Sequence, residues 1–179
     1  MSFKIVDVEF YKSPCSAEVD DIISSYGISC KEIENALKEG TYRHSKTNEG
    51  FQKELHEQLK FELMLFFKLK GHSISSQRYS REFDLESDVA VPSKTSGKGI
   101  YIEIEFRDKN QFADIVKFQI GYKHDLELGV LVVPKNKKNI NPGYKTMIEF
   151  HNCKDVLEAL ELEVPILLIG FDGIWKNAE

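Results

Sequence analysis

Residues 128–133 read Leu-Gly-Val-Leu-Val-Val, an unbroken apolar run closed by Pro134. A short β-branched segment with no polar side is the mark of a strand buried on both faces. Val164 to Ile169 is a second run of the same kind. Strands like these need helices to cover them, and the rest of the chain alternates helical and strand patterns. The expected class is therefore α/β, with a mixed sheet.

The 179 residues fit one domain able to bury its own core, and the 41% apolar content is too high for a disordered tail. A single domain spanning residues 1–179 is expected. No apolar run approaches the roughly 20 residues of a membrane helix. Met1-Ser2-Phe3-Lys4 opens onto a strand-like stretch rather than an export signal, so a cytoplasmic location with no membrane partner is expected. Cys15, Cys30 and Cys153 form no C-x-x-C pair, which argues against a disulfide framework or a zinc knuckle. The net charge of -5 speaks against coating nucleic acid by bulk charge, but leaves room for a local basic groove beside metal-binding carboxylates. The histidines His44, His56, His72, His124 and His151 show no H-x-x-x-H spacing. Neither a phosphate-binding G-x-x-x-x-G-K loop nor a G-x-S-x-G elbow is present.

Element by element, Phe3 to Tyr11 reads as a strand, and Ser16 to Tyr26 and Ser29 to Glu39 as short helices. Thr41 to Gly50 reads as a loop. The longest helix is expected over Phe51 to Lys70, stopped by Gly71, with Phe51, Leu55, Leu59, Leu63, Phe66 and Phe67 on one stripe. Glu62 falls within that stripe, where a carboxylate is paired, protonated, functional or at the rim with its head in water. Three strand signals follow: the polar run His72 to Phe83, the short Ser87 to Val91, and Ile100 to Phe106 beyond a turn over Pro92 to Gly99. Asn110 is placed to cap a helix reaching about His124, with Phe112, Ile115, Val116 and Ile120 on its inner face. A further helix near Cys153 to Glu161 leads into the second apolar run.

Ile100 to Phe106 carries the chemistry. Alternation puts Ile100, Ile102, Ile104 and Phe106 on one face, and Tyr101, Glu103, Glu105 and Arg107 on the other. The two carboxylates lie about 7 Å apart along such a strand. Pairing across the turn would place Asp88 on the neighbouring strand. Three converging acids repel one another unless a cation neutralises them, and hard oxygen donors suit Mg²⁺. Taken alone, a Glu-x-Glu pair on the exposed face of an edge strand is far more often plain surface than a metal site.

Asp88, a turn, Glu103-Ile104-Glu105, then a helix and a buried strand resembles the PD-(D/E)XK nuclease superfamily. The similarity spans about residues 50–134, a helix-strand-strand-strand-helix-strand (αβββαβ) core, with extra elements at both ends. It resembles in particular the type II restriction endonucleases whose motif lysine is replaced by an acidic residue or glutamine, since Glu105 stands at the lysine position. The usual Pro-Asp pair reads Ser87-Asp88 here, and Asp84 is the competing first aspartate. The resemblance implies Mg²⁺-dependent hydrolysis of double-stranded DNA at a short specific sequence, by a homodimer. Asp88 and Glu103 would hold the metal, Glu105 would orient or deprotonate water or help hold a second ion, and Glu62 would be an outer helix carboxylate. Glu54, at a Gly50-x-x-x-Glu54 spacing like that of Holliday-junction resolvases, is the alternative to Glu62. Lys94, Lys98, Arg107, Lys109, Lys117 and the Lys135–Lys138 loop are candidate phosphate contacts. A structure-specific resolvase or repair nuclease, and a non-catalytic binding or interaction module, are the competing expectations.

Overall fold

The structure, a computed structural model, describes residues 2–13, 16–43, 51–75, 78–80, 85–107, 111–140 and 148–176. Its strands are β1 (Ser2–Lys12), β2 (Tyr42–Arg43), β3 (Arg78–Ser80), β4 (Leu85–Glu86), β5 (Val89–Pro92), β6 (Gly99–Ile104), β7 (Leu126–Pro134) and β8 (Ile166–Lys176). Its helices are α1 (Ser16–Ser25), α2 (Cys30–Glu39), α3 (Phe51–Leu69), α4 (Gln111–Tyr122), α5 (Lys137–Ile140) and α6 (Phe150–Ala159). Among the described residues, no helix is long and apolar enough to cross a membrane.

Six strands form one mixed sheet in the order β2-β1-β8-β7-β6-β5. The two apolar runs lie in its middle, as β7 and β8, parallel to each other and to β6. Both are buried on both faces, as their lack of a polar side requires. The edge pairs are antiparallel: β5 against β6, and β1 against β8 and β2. Pro92 ends the outermost strand, where a missing N–H costs the ladder nothing. The α/β class and mixed sheet agree with expectation. The segments at the two ends of the chain join the same sheet, with β1 running along β8 for ten paired residues.

One face of the sheet is covered by α1, α2 and α3. Ile100, Ile102 and Ile104 of β6 pack there with Leu59, Leu63 and Phe67 of α3. The other face is covered by α4 and α6, where Tyr101 belongs to a second buried cluster with Phe118, Leu131, Cys153 and Leu168. The face of β6 that bears the carboxylates is therefore a second core rather than a solvated surface. Ser29 caps α2 by accepting the Glu32 N–H and donating to the Glu32 carboxylate. Gly71, at a φ of 79°, turns the chain after α3, and the His72 N–H bonds back to the Phe67 carbonyl.

Three expectations change. Among the described residues of the His72–Phe83 run, Ser75 bridges Ala90 beside β5, and β3 pairs with β4 in a separate two-stranded ribbon rather than in the main sheet. Residues 42–43, expected in a loop, add the strand β2 to the sheet edge. The inner face of α4 is also rotated. Ile115 is buried as expected, but Phe112 and Val116 are 53% and 55% exposed, and the buried partners are Asp114 and Phe118. The physical cause is Gly129 of β7. A Cβ there would stand 2.6 Å from the Phe118 ring, so the missing side chain makes room for that ring to lie against the strand. The Asn110 cap, Asp84, Lys109, Cys15 and His44 lie outside the described residues.

Candidate active site

The site is built where β6 ends beside the start of β5. Val89 pairs with Ile102, so the next step outward sets Asp88 beside Glu103. Asp88 bends off the ladder, and its Oδ2 accepts the Ile104 N–H at 2.9 Å. The same oxygen lies 3.1 Å from Nε2 of His56, which arrives from α3. Burial works to raise the Asp88 pKa, but the His56 bond and charge, the Ile104 N–H and the charge of Lys60 outweigh it and hold it low. His56 is pushed the other way: its bond to Asp88 raises its pKa against the effect of burial. The two behave as an ion pair.

Glu103 projects to the opposite side of the sheet and is only 5% exposed. Its Oε1 accepts from Lys117 Nζ of α4 at 3.2 Å, and that ammonium also donates to Asp114 Oδ1 at 2.9 Å. Burial works against the charge on Lys117, yet the Glu103 and Asp114 carboxylates outweigh it and raise its pKa. Asp114 is 3% exposed, and burial, reinforced by the charges of Glu105 and Asp88, pushes its pKa up to about 6 in spite of Lys117. Glu105 curls over its own following backbone, where Oε1 accepts the N–H groups of Phe106 at 2.8 Å and Arg107 at 2.7 Å. Cys153 faces the same region from α6, and burial first, then Asp114 and Glu105, drives its thiol pKa up to about 12. Such a thiol is inert as a nucleophile.

The raised Asp114 pKa has a signed consequence. A carboxyl whose folded pKa lies above its unfolded value of 3.8 binds its proton more tightly in the native state. Its contribution to stability is present at low pH and is lost as pH rises from about 4 to about 6. Thermal melts of the parent and of Asp114→Asn across pH 4.5–7.5 are the check. The expected result is that the variant loses part of the decline in melting temperature over that window. Parallel curves for the two proteins would count against it.

Asp88, Glu103 and Glu105 are thus brought to one end of the sheet, while Glu62 is not. The core stripe of α3 has two flanks at four-residue spacing, one through His56 and Lys60, the other through Glu54, Gln58 and Glu62. The first flank faces Asp88. The second faces α2 and β2: Gln58 bonds the Arg43 backbone on both its N–H and its carbonyl, and the Glu62 Cγ lies beside Gly40. Glu62 raises the pKa of Tyr42, where burial is the larger cause. Because α2 occupies that side, a carboxylate at position 62 cannot reach the β5–β6 end. Glu54 shares the flank.

His56, Asp114 and Lys117 are the site residues that sequence reasoning missed or placed elsewhere. Lys117 stood only among candidate phosphate contacts. The signal was present as the i,i+3 pair Asp114 and Lys117, flanking Ile115 and Phe118 on α4. Among the other basic candidates, Lys135 is tied to Asp7 and Glu9 at 2.6 and 2.7 Å, and Lys137 to Glu149 at 3.6 Å. Lys94, Lys98, Arg107 and Lys138 are exposed, with Lys98 over the Tyr122 ring.

The donor set suits a hard divalent cation. Asp88 and Glu103 offer two carboxylates from paired strands, the number Mg²⁺ takes while keeping several waters. Among the described residues, no group of three or more His, Cys, Asp or Glu side chains is gathered for an ion, so these two would share one with water or substrate oxygen.

The family model described as restriction endonuclease BglII/BglIII matches residues 9–171. The crystal structure of free BglII superposes with a TM-score of 0.55 at 13% identity, over 97% of this chain and 82% of that one. At that identity the likeness speaks for the fold alone. Comparison with curated protein sequences gave no match.

Proposed function

We propose, because the chain belongs to the BglII/BglIII restriction endonuclease family and is a DNA-cleaving hydrolase, that it is a Mg²⁺-dependent type II enzyme cutting double-stranded DNA at a short specific sequence. It is read as a member of the group in which an acidic residue, here Glu105, replaces the motif lysine. The observation that carries this reading is that Asp88 and Glu103 stand at the same end of the β5–β6 pair, Asp88 held by His56 of α3 and Glu103 buried against Lys117 of α4. The sheet draws strands from both ends of the chain, which supports reading residues 1–179 as one nuclease unit.

A bound Mg²⁺ would polarise the scissile phosphate and acidify a water molecule. Asp88 and Glu103 would hold it, and the His56 and Ile104 N–H bonds keep Asp88 in place and ionised. Glu105, with Oε1 fixed by two backbone N–H groups, turns Oε2 to the attacking water and takes its proton. The water oxygen bonds to phosphorus as one P–O ester bond breaks, and the departing oxygen takes a proton from solvent. Exposed Arg107, two residues beyond Glu105, supplies a phosphate contact that sets affinity and salt dependence, whereas Lys94 and Lys98 stand in the β5–β6 turn at the other end of that strand pair. A palindromic DNA site is matched by a two-fold dimer, each copy cutting one strand.

Incubation with plasmid DNA and Mg²⁺ is expected to give discrete fragments, and EDTA to stop the reaction. Cutting confined to branched DNA would replace this reading with a resolvase. Binding without any cutting would replace it with a non-catalytic module.

A further inference from the structure

Lys117 does something in the site that the nuclease reading leaves unexplained. Glu105 stands where a strand lysine would bring positive charge, so β6 itself supplies carboxylates alone. Lys117 brings an ammonium to the same place from α4, over the second core. Its side chain is 22% exposed and its Nζ lies within bonding distance of Glu103 and Asp114.

The support beneath it is buried. Asp114 sits one turn earlier on α4 and is 3% exposed. Phe118, the next residue, is buried in the space left by Gly129 and sets the rotation of the helix. An ammonium has three N–H groups, and the two carboxylates take two of them. The third is available to a phosphate oxygen. A cation already in position stabilises charge that develops in the transition state without reorganising at the moment of reaction.

We propose that Lys117 is a catalytic residue standing in for the absent strand lysine: anchored by Asp114, its ammonium donates to a non-bridging oxygen of the scissile phosphate as the P–O ester bond breaks. This deepens the nuclease reading above and rests on it. The alternative role for Lys117 is to orient Glu103 as a metal ligand. The two roles differ in one observable. A lysine that only orients Glu103 changes how much Mg²⁺ is needed, whereas one that contacts phosphate changes the rate once Mg²⁺ is saturating.

The experiment uses the full chain and measures single-turnover cleavage of plasmid DNA as Mg²⁺ is raised until the rate levels off. DNA affinity is measured separately by fluorescence anisotropy with Ca²⁺. For Lys117→Met, the plateau rate is expected to fall on the order of a hundredfold and to stay down at any Mg²⁺ concentration. DNA affinity should stay within about threefold, because one phosphate contact among many is lost.

A plateau rate within about fivefold of the parent, or a rate fully restored by extra Mg²⁺, overturns the proposal. Lys117→Met leaves Asp114 buried without this partner. If it melts more than about 10 °C below the parent, the double variant Asp114→Asn/Lys117→Met, which removes both charges, carries the same comparison. Glu103→Gln, run beside these, tests the nuclease reading independently of Lys117. An inactive Glu103→Gln with an active Lys117→Met sinks this inference alone, while a parent that cuts no DNA sinks both.

Discussion

Replacing Glu103 with glutamine is expected to lower DNA cleavage on the order of a thousandfold while leaving the fold intact. The substitution keeps size and shape, and the amide oxygen can still accept from Lys117 Nζ, which lies 3.2 Å from Oε1 in the parent. What is lost is one of the two carboxylate charges proposed to hold the cation. Stabilisation of transition-state charge by a metal is worth several kcal/mol, and each ~1.4 kcal/mol is tenfold in rate. Two measurements check this: plasmid cleavage with Mg²⁺, and DNA binding with Ca²⁺. Cleavage should collapse while binding remains, and the melting temperature should move by no more than about 3 °C, as for a conservative change that keeps its bond. Cleavage at the parent rate would remove Glu103 from the metal site and with it the proposed chemistry.

The largest effect on stability is expected from Phe118→Ala. Phe118 is fully buried between α4 and the sheet, and its ring fills the space over Gly129. Truncating a phenylalanine in such a place costs about 3–5 kcal/mol, because the cavity left behind closes only in part. At roughly 2–4 °C per kcal/mol for a chain of this size, the melting temperature should fall on the order of 10 °C. Phe112→Ala, on the same helix but half-exposed, should cost only about 0.5 kcal/mol. Thermal or urea unfolding of the two variants side by side measures the contrast. Equal losses would mean that α4 packs with the rotation its apolar pattern suggests. Phe118→Ala should also slow cleavage, since α4 positions Lys117.

That rotation shows where sequence reasoning reached its limit. Phe112, Ile115, Val116 and Ile120 form a reasonable apolar stripe, and periodicity alone favours it. The sheet favours a neighbouring stripe because Gly129 leaves a space that Phe118 fits, and this turn carries Asp114 and Lys117 inward. Nothing local to residues 111–122 encodes what stands opposite. Glu62 failed for the same kind of reason. The helical wheel puts Glu62 within the core stripe, whereas it lies half-buried on a flank, and which flank of α3 faces β5 is set by α2, whose Gly40 end sits against the Glu62 side. His56, on the other flank, carried no motif that could have marked it.

The sequence by itself determined the centre of the sheet. An unbroken apolar run makes a doubly buried strand wherever it lies, and strict alternation over residues 100–106 sets which side chains share a face. Those are properties of consecutive residues, so β6, β7, β8 and the placement of Glu103 and Glu105 follow from short-range order. The tertiary structure alone decided what surrounds those carboxylates. His56, Asp114 and Lys117 reach the end of β6 only through the rotation of α3 and α4 against the sheet. Rotation is settled by packing between segments distant in the chain, Phe118 on Gly129 and α2 beside Glu62, and no window of neighbouring residues records it.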